Sequence, residues 1–189
     1  MKTKTIALGA VLFLVITVSA FAGGGGGMLW QYQSENYPLI PDWHPDQNSR
    51  DLKMVGGYGY GVDRHGRIHG GYGFGIVSED DGPGTVRGGF GGVISGFQIL
   101  PRPIHLAVVS YVGVGGLSVQ GSGGASDLES WFALSAELDV EVGLPLMGWF
   151  MPVVYAGYQN MGNLIPGESF EVFSSYSPVL GFRLAFGDF

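Results

Sequence analysis

The chain has 189 residues, enough for one domain and not comfortably for two. Only 13% of it is charged, against about 25% in ordinary soluble domains, and the formal net charge is −7. An acidic chain of this kind is a poor partner for nucleic acid or anionic lipid headgroups, and without cysteine it has no site for a disulfide or for the lipid of a lipoprotein.

Residues 1–22 have the layout of an export signal. Lys2 and Lys4 supply a positive start, Ile6 to Val18 an apolar middle, and Ala20-Phe21-Ala22 a small-x-small cleavage site. Residues 5–22 are almost long enough to span a bilayer as an uncleaved anchor. The small residues at their end and the glycine run Gly23 to Gly27 favour cleavage instead. Beyond residue 22 no apolar run approaches the ~20 residues of a spanning helix.

Residues 23–51 read as a glycine-rich linker and N-terminal segment, with a short candidate strand from Met28 to Gln33 ahead of Pro38, Pro41 and Pro45. From residue 52 to residue 189 the pattern is that of one β domain. Residues 52–62 alternate Leu52, Met54, Tyr58 and Tyr60 with Lys53, Val55, Gly57, Gly59 and Gly61. Residues 67–78 repeat the pattern, setting Ile68, Tyr72, Phe74 and Ile76 against Arg67, His69, Gly71, Gly73 and Gly75. Further strands fall at about 85–99, 104–119 and 151–161.

The clearest strand is "SWFALSAELDVEVGLPL", Ser130 to Leu146. Phe132, Leu134, Leu138, Val140 and Val142 share one face, and Glu137, Asp139 and Glu141 stand in a row on the other. In the last strand Leu180, Phe182, Leu184 and Phe186 oppose Gly181, Arg183 and Ala185. Polar or glycine-rich joints separate these runs, including Asp63-Arg64-His65-Gly66 and residues 79–84, 121–129 and 163–171. Together they predict an all-β fold, an antiparallel up-and-down barrel of about eight strands.

Alternation does not say which face is inside. With the apolar face inward, the exterior of the early strands is mostly glycine, which covers nothing. With it outward against lipid, glycine and a few charges fill a narrow lumen, and the low charge content follows. The second arrangement is the expectation. It places Tyr58, Tyr60, Tyr72, Phe74, Phe90, Phe182 and Phe186 against lipid, and Glu137, Asp139, Glu141, Arg183, Arg67, Arg87 and Lys53 in a lumen charge network.

The export signal, the long alternating strands and the C-terminal strand "LGFRLAFGDF" together resemble the small, roughly eight-stranded outer-membrane β-barrels of Gram-negative-type bacteria. The resemblance implies insertion in outer-membrane lipid, with the C-terminal strand ending at Phe189 recognised by the barrel-assembly machinery. That family usually carries a second aromatic residue two positions before the end, where this chain has Gly187. The likeness is at the level of the class, and no functional residue carries over from it.

Signals for chemistry are weak. His65 and His69 match His-x-x-x-His, but Gly66 lies between them and they straddle a turn, so the helical zinc geometry is missing. The loop Asp42-Trp43-His44-Pro45-Asp46 reads better as a rigid turn than as a ligand set, and His105 as structural. The glycine pairs Gly57/Gly59 and Gly71/Gly73 continue as strand and open no phosphate-cradling helix. No nucleophile motif is present, so neither a cofactor, a metal nor catalysis is expected. The reading is a structural or surface-interaction barrel of the outer membrane, with loops 34–51, 121–129 and 163–176 free to meet a partner or surface ligand. Its rivals are a secreted soluble barrel with an apolar ligand inside and a self-assembling glycine-rich β-fibre.

Overall fold

The computed structural model describes residues 24–35, 50–78, 85–100, 103–120, 128–164 and 175–187. The export signal, most of the three long loops and Phe189 lie outside the described residues. Eight strands follow one another: β1 Gly24–Glu35, β2 Arg50–Val62, β3 Arg67–Ser78, β4 Val86–Leu100, β5 His105–Gln120, β6 Leu128–Gly143, β7 Phe150–Leu164 and β8 Ser175–Gly187. Each pairs antiparallel with its neighbours in sequence, and β1 closes the ring on β8 through a register running from Gly25↔Gly187 to Gln33↔Val179. The architecture is the closed eight-stranded antiparallel barrel that the alternation and the family resemblance implied. Closure pairs every strand on both sides, which removes the free edge on which a fibre would grow.

Two elements differ from the sequence-based expectation. Gly24 to Gly27 are not a linker: they form the first third of β1, pairing with β2 from Gly24↔Gly61 onward. A backbone without side chains still carries a complete ladder when both neighbours are supplied. β6 stops at Gly143, short of Leu146; Leu144 and Leu146 donate instead to the carbonyls of Pro152 and Phe150, closing the turn into β7.

Connectivity sorts the joints. Residues 63–66, 101–104 and 144–149 link strands at the rim where β1 begins and β8 ends, while residues 36–49, 79–85, 121–127 and 165–174 link them at the other. At the first rim, Asp63 builds the β2–β3 turn by accepting from the amides of His65 at 2.8 Å and Arg67 at 2.9 Å. Asp63 is exposed there, and these two amide donors, Arg67 foremost, hold its carboxyl below the ordinary aspartate range.

The outward expectation for the aromatic repeat is corrected by the structure. Even-numbered residues of β2, β3 and β4 point into the lumen, so Tyr58, Tyr60, Tyr72, Phe74 and Phe90 are buried there, while Lys53, Arg67 and Arg87 stand on the outer wall. An eight-stranded lumen is just wide enough to be filled by side chains, and rows of glycine would leave it hollow. Rings fill it: Tyr58 stacks on Tyr60, Tyr72 on Phe74, and Phe74 meets Phe90 at 5.7 Å between centroids. The repeat therefore holds two kinds of glycine. Lumen-facing Gly56 and Gly70 leave room for neighbouring rings, since a Cβ on either would come within 2.6 Å of the Cβ of Phe74 or Tyr60. Outer Gly59, Gly73 and Gly75 meet nothing closer than 3.7 Å at the same position.

In β6 and β8 the expected polarity and the structure coincide. Leu134, Leu138, Phe182 and Phe186 are exposed on the outer wall, and Glu137, Asp139, Glu141 and Arg183 are buried inside.

Candidate functional site

The lumen is divided. On the β2–β4 side it is aromatic and aliphatic; on the side of β5 to β8 and β1 it is polar, with Arg183 of β8 at the centre. Arg183 donates from Nη2 to Asp139 Oδ2 at 3.0 Å and from Nη1 to Glu141 Oε1. Strand spacing brings this about: Asp139 and Glu141 are two residues apart in β6, so both carboxylates project from one face toward the guanidinium fork.

Rings enclose the cation. The guanidinium carbon lies 3.8 Å from the centroid of Tyr155, 4.7 Å from that of Tyr111 and 5.4 Å from that of Tyr58. Tyr111 also donates its hydroxyl to Glu141 Oε1 at 2.7 Å. Gly181, two residues before Arg183, makes the arrangement possible, because a side chain there would collide with the Tyr155 ring.

Glu137 takes a different partner. Gln31 of β1 donates Nε2 to Glu137 Oε2 at 3.0 Å, and Tyr155 donates its hydroxyl to Gln31 Oε1 at 3.2 Å. Glu137 and Asp139 are themselves two residues apart on the same buried face of β6. At the near rim, His105 Nε2 lies 3.9 Å from Glu141 Oε2, and the Gln98 amide nitrogen is 2.8 Å from His105 Nδ1.

Of the seven charged residues expected in the lumen, Glu137, Asp139, Glu141 and Arg183 come together. Lys53, Arg67 and Arg87 do not, for the same reason that the aromatic rings turned inward: the two faces of β2–β4 are exchanged relative to the expectation. Tyr111, Tyr155, Gln31 and His105 belong to the cluster and were not anticipated. The signal was there in β7, where Tyr155 shares its parity with Gln159, another buried polar residue. No group of three or more His, Asp or Glu suited to a metal ion occurs among the described residues, and His65 is exposed in its turn. The cluster can hold charge in the interior and tie five strands together.

Comparison with known proteins returns no matching family model and no matching curated protein. Among solved structures the chain is similar to Ail, the attachment invasion locus protein of Yersinia pestis, at 12% sequence identity and a TM-score of 0.48, over 89% of this chain and 99% of that one.

Proposed function

We propose that the chain is an exported, integral outer-membrane β-barrel with a structural or surface-interaction role and no catalytic activity. One observation carries the reading: over β5 to β8 and β1 the polarity of a water-soluble protein is inverted. Leu138, Tyr158 and Leu180 are 57%, 65% and 64% exposed, while Asp139 and Arg183 are 0% and 1% exposed. The outward residues from Met28 to Tyr32, Leu106 to Ser118, Ser130 to Val142, Pro152 to Gly162 and Pro178 to Phe186 include no charged side chain. A soluble monomer rarely leaves an apolar patch of more than a few hundred Å² in water, whereas hydrocarbon accepts this wall without cost.

Strand length and rim chemistry support the same reading. Strands of 12 to 16 residues, tilted by about 45°, cover an apolar band of roughly 25 Å. Trp149 and Phe150, in and beside the β6–β7 turn, pack with Phe186 at centroid distances of 6.1 and 5.3 Å, forming part of an aromatic girdle. The rim with the short turns and both strand termini is then the periplasmic one, and the longer connections reach the outside, where a protein or surface ligand would be met. Outer-membrane lipid is the solvent of the wall, and the assembly machinery is engaged through the C-terminal strand. A secreted barrel with an apolar ligand is disfavoured by the lumen, which is occupied by stacked rings and an ion cluster.

The test is to express the full chain and wash the membranes with alkaline carbonate. Retention of the processed protein, with release only by detergent, supports the reading; release into the soluble fraction sinks it.

A further inference from the structure

The lumen contains more acid than base. Glu137, Asp139 and Glu141 are all buried, facing one guanidinium and one imidazole. Even with His105 fully charged, three carboxylates would face two cations. The other titratable groups around them are phenols: Tyr58 and Tyr60 from β2, Tyr72 from β3, Tyr111 from β5 and Tyr155 from β7. β1 adds the Gln31 and Gln33 amides, β4 the Gln98 amide and β7 the Gln159 amide. None of these supplies positive charge, and an uncompensated carboxylate in a dry interior takes up a proton rather than staying ionised.

Hydrogen bonding says where the proton belongs. Arg183 is engaged by Glu141 and by Asp139 Oδ2, so both its bonds go to those two acids. Asp139 Oδ1 is buried and receives no donor from any described side chain. Glu137 and Asp139 are both buried and are neighbours on one face of β6, and two carboxylates so placed repel unless a proton stands between them. We propose that the lumen is a proton-binding site in which Glu137 and Asp139 share one proton at neutral pH, leaving two carboxylate charges to face Arg183 and His105. The proton is then a structural ligand of the barrel and is lost only when the chain unfolds or the medium turns alkaline. This goes beyond the membrane reading and holds wherever the barrel resides.

Infrared spectroscopy of the purified full barrel in an ester-free detergent tests it directly. Loop carboxyls are ionised at neutral pH, so the carbonyl stretch of a protonated acid, shifting in heavy water, reports the lumen alone. Its presence in the wild type at neutral pH and its loss in the double variant Glu137→Gln, Asp139→Asn are expected. Absence from the wild type overturns the proposal, as does retention in the double variant. Stability gives a second reading that needs only the single change Glu137→Gln, which mimics the protonated acid. The folded wild type holds one proton more than the unfolded chain, so its urea midpoint falls as pH rises from about 6 to about 9, below the range in which tyrosine ionises. In Glu137→Gln that fall is absent; an equal fall in both proteins overturns the assignment.

Discussion

The guanidinium of Arg183 lies face-on to the ring of Tyr155, 3.8 Å from its centroid, at the point where the polar half of the lumen meets the aromatic half. Stacking of this kind needs a planar cation, and the forked bonds to Asp139 and Glu141 need its geometry as well. Replacing Arg183 by Met strands two buried acids, and the expected loss is about 3–5 kcal/mol of stability. Arg183→Lys keeps the charge but loses fork and stack, and its loss should be smaller. Urea midpoints of the refolded barrel in detergent check both, and an unchanged midpoint for Arg183→Met would show that the cluster does not hold the strands together.

Glycines of the repeat differ by face. Ala at Gly70 would drive its methyl into the Gly59 carbonyl oxygen and to 2.6 Å from the Cβ of Tyr60, so Gly70→Ala is expected to cost about 1–3 kcal/mol through overpacking. Ala at Gly73, on the outer wall, comes no nearer than 3.7 Å to the Phe90 carbonyl. There the substitution restricts the unfolded chain and should be neutral or stabilising by up to about 1 kcal/mol. Equal effects at the two positions would contradict the inward aromatic face.

That face was the part of the barrel hardest to see in the sequence, and the cause is physical. In β6 a row of three acids opposes a row of Phe, Leu and Val, so polarity alone separates lumen from lipid, and Arg183 in β8 falls on the matching face. In β2 and β3 neither face carries a charge between Lys53 and Arg67 except the turn itself; one side is ring and the other is glycine. Small size argued for the lumen, whereas the need to fill the lumen decided the outcome. Parity propagates from β6 through pairs such as Tyr111↔Glu137 and Ile94↔Tyr111, but those registers depend on connection lengths that alternation does not supply. The strand count, the turns and the two partners of Arg183 were legible; the surrounding tyrosines were not, because an aromatic residue suits a girdle and a lumen equally.

The β2–β3 turn is a site of acid sensitivity. Two amide bonds, from Arg67 and His65, lower the Asp63 carboxyl in the folded state. A depressed acid contributes stability that is present above the ordinary aspartate range and is lost as pH falls through the lowered folded value. Asp63→Asn should therefore lower the neutral midpoint slightly and flatten the acid limb of the stability profile. Gly66, at φ 79°, closes the same turn, and Gly66→Ala is expected to cost on the order of 1–2 kcal/mol from the left-handed backbone alone. Denaturant titrations across acidic pH, with Asp63→Asn tracking the wild type throughout, would refute the first expectation.

The membrane reading fixes the depth of two tryptophans. Trp30 lies mid-strand on the outer wall of β1, its ring 6.2 Å from that of Phe182 across the β1–β8 seam, so it faces the hydrocarbon. Trp149 belongs to the turn between β6 and β7 and packs on Phe186 at the rim, the level of the lipid headgroups. Each is isolated by changing the other three tryptophans, Trp43 and Trp131 among them, to Phe, and the barrel is reconstituted in vesicles containing brominated lipid. Bromine deep in the acyl chain should quench Trp30 strongly and Trp149 weakly, and bromine near the carbonyl should reverse the order. A soluble barrel that merely adheres to vesicles would show shallow quenching at both positions, and so would a barrel whose β1 wall faces water.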